Sequence, residues 1–426
     1  MISAIVHHPT WKKALAGLGL ICALAASSRL SAETALQIDT RFPGASLGAV
    51  ETIGPTHLRL YLAGQVDENG RNRQPTWFYF RLSGCGGKTV TLTFAGFGGE
   101  YDGRPVPARI GTSYRPVWSE DGETWEHAEK TAWDAQAKEL TVTLTPRGDE
   151  LWMAYLHPYS LERIHRLVGD AQRSPYARVD EIGQSVQGRP LQVITITDPS
   201  RPDEKKAHLW LIARQHAWET GTSFVWEGAL AFLLSGDPEA RRLRQTAVFS
   251  LVPVMDPDGC ASGAVRFNAN GYDLNRHWRS VDVEDSQWRQ AMPEIWHVKR
   301  ALRESHRGHP IDLLINLHNN DTNEYLATNA SGGAALHRMQ RFFRTLADET
   351  NFDPSRPDVT ISPPVHPALS TTNSLWDEFG IPTLLVEQRI GPSAELGGRR
   401  PTPEDRREFG RGLVKVAAAV VEETRQ

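Results

Sequence analysis

The period of the apolar residues changes at Ser160, and that change limits what this chain can fold into. Beyond it, short apolar runs of strand length take turns with segments whose apolar residues recur at helical spacing. The strand-like runs are His208 to Ala213, Val248 to Val254, Ile311 to Leu317 and Thr383 to Glu387; the helical ones are Thr222 to Leu234, Trp288 to Arg303, Ala334 to Thr350 and Glu404 to Thr424. Ser160 can cap a first helix with Leu161, Ile164, Leu167 and Val168 on one face, and Ala177 to Asp198 reads as two strands around Gln187-Gly188-Arg189. This alternation predicts an α/β domain over residues 161–426, a doubly wound, mostly parallel sheet with helices on both faces. Such sheets bind ligands at the carboxyl ends of their strands.

Before Ser160 the period is two. Lys88 to Phe94 and Leu140 to Thr145 alternate strictly, Thr76 to Leu82 is aromatic and β-branched, and Gly84 to Gly87 forms a turn. Asp121-Gly122, flanked by Trp118 and Trp125, marks a further hairpin. Residues 33–160 are therefore expected to form a small all-β sandwich, with Leu151 to Tyr159 as last strand and crossing. Its aromatics could hold a glycan, but burial in the core is the simpler account.

Residues 1–32 read as an address rather than a fold. Lys12-Lys13 precede an apolar stretch from Ala14 to Ala26, and small residues come after it, the pattern of a signal peptide cut near Ala32. A periplasmic or secreted location is expected on that ground, with a retained anchor as the alternative. No later stretch is long and apolar enough for a membrane span. Cleavage would leave only Cys85 and Cys260, too few for a disulfide framework. It would also remove Lys12, Lys13 and Arg29, deepening the acidic excess of a chain whose net charge is already −4. Such a chain has no basic footprint for nucleic acid.

Chemistry concentrates in Arg214-Gln215-His216-Ala217-Trp218-Glu219, at the end of the run His208 to Ala213. His216 and Glu219, three residues apart, can bring an imidazole nitrogen and a carboxylate to one divalent ion of the borderline-soft kind. The pair also arises by chance in a chain with 15 histidines. It gains weight from five later stretches, in this order: Asp256-Pro257-Asp258-Gly259, Arg266, Asp273-Leu274-Asn275-Arg276, Leu317-His318-Asn319 and Leu385-Val386-Glu387. With this set the chain resembles the zinc metallocarboxypeptidases, most closely their cytosolic-carboxypeptidase-like branch, whose members carry an N-terminal β-sandwich beside the catalytic domain.

The resemblance implies one zinc ion per chain on His216, Glu219 and His318, with a fourth position open for water, the catalytic form of a zinc site. It makes Asp273 the carboxylate that fixes the tautomer of a zinc-bound histidine, expected to be His216. Glu387 matches the general base, taking a proton from the attacking water and giving one to the leaving amine; an ion pair with Arg389 is the alternative. Arg266 lines up with the arginine that stabilises the oxyanion, and Asn275 with Arg276 match the pair that holds the substrate's free α-carboxylate.

The chain departs from the family in places. Asp256 stands where the family has Asn, Trp218 stands where digestive members have Arg and predicts a more apolar outer subsite, and no Tyr follows Tyr325, so His366 is a possible substitute for the family's mobile tyrosine. The expected activity is removal of C-terminal residues from peptides or proteins, neutral ones for preference, because Ile361 to Val386 contains no Lys or Arg. The same ligand set would also serve a cell-wall stem-peptide (γ-glutamyl or diaminopimelate) peptidase or an N-acyl amino acid amidohydrolase. A glycan- or protein-binding protein with a dead site is the non-enzymatic alternative.

Overall fold

The computed structural model describes residues 35–108, 110–330, 332–361 and 370–425. The stretch read as a signal peptide and the loop holding His366 lie outside the described residues. Residues 35–425 pack as one unit in which an all-β part is followed by an α/β part.

One sheet of eight strands organises the α/β part, in the spatial order Ala177–Gln184, Pro190–Ile196, Ala247–Val252, Ala207–Ile212, Leu313–Asn320, Thr383–Arg389, Tyr325–Thr328 and Thr360–Ile361. The four central strands run parallel, and the strand next to them on either side, Pro190–Ile196 and Tyr325–Thr328, pairs with them antiparallel. The apolar runs have no polar face because these strands are covered on both sides: every residue of Ala207–Ile212 and of Ala247–Val252 is buried. Successive side chains serve different cores. Leu209, Leu211, Leu313, Ile315 and Leu317 face helices Gly221–Leu234, Gly333–Glu349 and Pro403–Arg425, whereas Trp210, Ile212 and Leu314 face Pro293–Gly308 and Thr371–Phe379. Of the described helices, none is long and apolar enough to cross a membrane.

The largest helix contact is backbone to backbone. A Cβ on Gly228 would lie 2.0 Å from the Arg407 carbonyl oxygen, and one on Gly410 would lie 2.0 Å from that of Val225. Two differences from the sequence reading have local causes. The helix expected over Trp288 to Arg303 is two, Ser286–Ala291 and Pro293–Gly308, because Pro293 has no N–H for the preceding turn and suits a first helical position instead. Helix Pro238–Thr246 and strand Tyr325–Thr328 are additional to the expected elements, although Asp237-Pro238 is a helix start: the Asp237 carboxylate accepts the Glu239 N–H at 2.8 Å.

The all-β part stacks two five-stranded sheets around Leu58, Phe78, Phe80, Leu92, Phe94, Val142 and Met153, with a third sheet of four short strands. The alternation in Glu139–Leu144 is the alternation of buried and half-buried side chains. Gly84 to Gly87 carries the chain from one sheet to the other, since Tyr79–Ser83 and Val90–Ala95 belong to different sheets. Val117–Ser119 and Glu126–His127 form the hairpin that Asp121-Gly122 turns.

Candidate active site

His216 and Glu219 stand in the loop leaving strand Ala207–Ile212, and that loop is braced from within. Arg214 holds φ +52°, a left-handed backbone that costs a side-chain-bearing residue about 1–2 kcal/mol. Its buried guanidinium donates to the Ala217 carbonyl at 2.7 Å and to Ser223 Oγ at 3.1 Å, tying the turn to the next helix. Thr222 Oγ1 closes it by donating to the Glu219 carbonyl at 2.8 Å and accepting the Arg214 N–H at 3.1 Å.

His318 comes from the neighbouring strand Leu313–Asn320. Ile212 pairs with Asn316, so His318 lies two residues beyond the end of Ala207–Ile212, and it pairs in turn with Glu387 on the next strand. Residue parity puts His318 and Glu387 on the same face of the sheet.

The donor atoms converge. His216 Nδ1 is 2.8 Å from Glu219 Oε1, His318 Nδ1 is 2.9 Å from Glu219 Oε2, and one ligand atom from each residue lies within 4.8 Å of the others. All three residues are buried. The far ring nitrogens are occupied: His216 Nε2 is 3.2 Å from Asp273 Oδ1, and His318 Nε2 is 3.1 Å from Gln215 Oε1. Protonation at each Nε2 satisfies both acceptors and leaves two Nδ1 lone pairs directed at the Glu219 carboxylate. Two neutral imidazoles and one carboxylate form a donor set that fits zinc.

Burial opposes ionisation of Glu219, yet the positive charge that His318 and His216 carry when protonated outweighs it and holds its pKa at about 2; a zinc ion would supply that charge beside neutral imidazoles. Burial likewise opposes charge on Asp273, but Arg266 beside it and the bond to His216 keep its carboxyl well below the usual range. The Arg266 Nε–Asp273 Oδ2 distance is 2.6 Å, so Asp273 joins the arginine to the metal ligand.

The eight residues singled out by sequence, His216, Glu219, Arg266, Asp273, Asn275, Arg276, His318 and Glu387, all line one cleft of ≈ 770 Å³. Arg389, considered as an ion-pair partner for Glu387, pairs with Asp353 at 3.2 Å and with Glu324 at 3.5 Å. Asn275 is itself held: its Oδ1 accepts the Thr371 N–H at 3.0 Å and Thr371 Oγ1 at 2.9 Å. Arg276 Nη1 donates to the Asn275 carbonyl at 2.8 Å.

Other expectations change. Trp218 touches the cleft but is buried in the core of the β-sandwich, edge-on to Tyr155, so it ties the two parts of the chain together. Asp256 is a helix cap, accepting the Gly259 N–H at 2.8 Å; burial, with Glu294 and Asp258 nearby, pushes its pKa well up, and it lies outside the cleft lining. The stretch without Lys or Arg also omits a basic residue of the cleft, Arg356, whose guanidinium lies over the Tyr325 ring at 4.1 Å. Sequence reasoning missed Gln215 as the partner of His318, although it sits in the very stretch that stood out. The resemblance implies an N-terminal part that narrows the entrance of the cleft, but sequence reasoning named none of its residues there, which are Asp67, Arg71, Tyr101 and Asp102 among others.

Comparison with known proteins gives two family matches: residues 38–156 match the cytosolic carboxypeptidase N-terminal domain, and residues 169–348 match zinc carboxypeptidase. The chain is 31% identical over 287 residues to an uncharacterised protein of Zymomonas mobilis, covering 67% of this chain and 68% of that one. It is 36% identical over 161 residues to cytosolic carboxypeptidase 6 of Mus musculus, covering 37% of this chain and only 29% of the mouse protein. A metallo-carboxypeptidase of Burkholderia cenocepacia has a similar structure, with TM-score 0.78 and 25% identity over 91% of this chain and 99% of that one. These findings correct the expectation of a periplasmic or secreted location: the named relatives are cytosolic carboxypeptidases, and the N-terminal domain is of their type. That expectation rested on one apolar stretch behind two lysines, a pattern of low specificity.

Proposed function

We propose, since the chain belongs to the zinc carboxypeptidase family, that it removes single residues from the free C-terminus of peptides or proteins. One observation carries the reading: the candidate base Glu387 is paired in register with the ligand His318, at the rim of a cleft that also holds Arg266 and Arg276. His216, Glu219 and His318 would hold a zinc ion, which would supply a Lewis acid for the scissile carbonyl and for acidifying the attacking water.

The chain's own groups do the rest. Glu387 accepts the proton of the water whose oxygen forms the new carboxylate, and delivers it to the amine that leaves as the C–N bond breaks. Arg266, fixed by Asp273, stabilises the charge that develops on the carbonyl oxygen. Arg276 offers a planar two-pronged match to the terminal α-carboxylate, with Asn275 beside it. Asp273 and Gln215 keep the ligand rings in one tautomer and orientation. Arg356, near Glu387 through its contact with Tyr325, favours an acidic terminal side chain over a neutral one.

The test is mass spectrometry of peptides ending in Glu, Leu or Lys, each with a free or an amidated C-terminus, before and after chelation and zinc return. Loss of single residues from free termini only, abolished by chelator and restored by zinc, is expected. Cleavage confined to γ-glutamyl stem peptides or N-acyl amino acids would replace this reading with one of those activities, and zinc binding without any cleavage would favour a binding protein.

A further inference from the structure

The loop from Val265 to Arg276 carries Arg266, Asp273, Asn275 and Arg276, and it is tied within itself by the bridge between Phe267 and Asp273 and by the Asn268 N–H, which donates to the Tyr272 carbonyl at 2.9 Å. At its start the Trp218 N–H donates to the Val265 carbonyl at 3.0 Å, and the backbone N–H groups of residues 265–267 are held from the all-β part by a single side chain. Gln65 Oε1 accepts three successive backbone N–H groups, those of Val265 at 3.0 Å, Arg266 at 2.7 Å and Phe267 at 2.8 Å. Its Nε2 donates back to the Phe267 carbonyl at 2.6 Å. A second seam lies at the tip, where the Glu68 N–H donates to the Gly271 carbonyl at 3.1 Å. Gly271 has φ +89°, and a Cβ there would come 2.6 Å from the Glu68 nitrogen, so the backbones touch.

We infer that Gln65 is a positioning residue for Arg266, which makes the small four-stranded sheet of the all-β part a working part of the active site. Three N–H groups gathered on one acceptor fix the backbone of Arg266, the arginine side chain then meets Asp273 at 2.6 Å, and Asp273 meets His216. The inference rests on the oxyanion role proposed for Arg266. Displacement of a stabilising group by about 1 Å costs about 100-fold in rate, and loss of an interaction made in the transition state alone lowers kcat without raising KM.

The experiment compares the zinc-loaded full chain with Gln65→Leu, Gln65→Glu, Arg266→Ala and the double variant Gln65→Leu/Arg266→Ala. Gln65→Leu is expected to lower kcat about 10- to 100-fold with KM nearly unchanged, to keep its zinc, and to lose hydrogen-exchange protection at the amides of residues 265–267. Gln65→Glu keeps an acceptor for the three N–H groups but turns a carboxylate oxygen towards the Phe267 carbonyl in place of the donor, so it should retain that protection and more of kcat than a variant without the acceptor, even if the leucine variant does not fold. In the Arg266→Ala background, Gln65→Leu should cost little more. Wild-type kcat in Gln65→Leu beside a crippled Arg266→Ala, or the same loss in both backgrounds, would overturn the inference. Unchanged kcat in Arg266→Ala would instead remove the role of Arg266 on which it stands.

Discussion

At the scale of the residue, the far side of each ligand imidazole decides how it can bind. His216 leans on a carboxylate and His318 on the neutral amide of Gln215, which is itself set by the Asn316 amide at 2.9 Å and by its own donation to the Leu274 carbonyl at 2.6 Å. Gln215→Ala is therefore expected to weaken zinc affinity about 10- to 100-fold while the fold persists, as read by competition with a chromogenic chelator; unchanged affinity would show that His318 needs no such partner. The ligands could be read from the sequence because their types and order are distinctive. Gln215 could not, because glutamine has no spacing rule and its partner lies 103 positions away, reached only when two strands pair in parallel. Trp218 has two sets of neighbours: it lines the cleft beside the candidate ligands, and its ring packs edge-on to Tyr155 in the sandwich core, a contact its sequence neighbours did not signal.

At the scale of the element, the active site depends on helix Gly221–Leu234, which begins two residues after Glu219 and is seated against Pro403–Arg425 through Gly228 and Gly410. Gly228→Ala and Gly410→Ala should each destabilise the chain by roughly 1–3 kcal/mol through forced separation of the helices. Thermal unfolding that matches the wild type would contradict this contact. The central strands were legible because burial on both faces makes continuous apolar runs. Strand Tyr325–Thr328 was not, since four residues carry too little pattern, and the break at Pro293 was lost because the apolar spacing continues across it.

At the scale of the molecule, the pH dependence of stability draws on a buried carboxyl outside the cleft. Glu294 is fully buried, bonded to Asn268 and to the Val186 N–H and close to Asp258, and burial first, with that charge, raises its pKa to about 7. A raised carboxyl stabilises the fold fully below its unfolded value of 4.5 and loses that contribution as pH climbs through about 7. Glu294→Gln should flatten the fall in melting temperature over that window, and an unaltered pH profile would assign the fall elsewhere. The two-part architecture was legible in the switch of period at Ser160, but the seam between the parts was not, because Gln65 and Arg266 are brought together only by the tertiary fold. The central claim, hydrolysis at the free C-terminus with Glu387 as base, is tested most directly by running the reaction in ¹⁸O-labelled water. The account predicts that each shortened peptide gains the label in its new carboxylate, that the released residue carries none, and that Glu387→Gln retains zinc but loses about 100- to 10,000-fold in turnover. Label in internal fragments, or full turnover by Glu387→Gln, would contradict it.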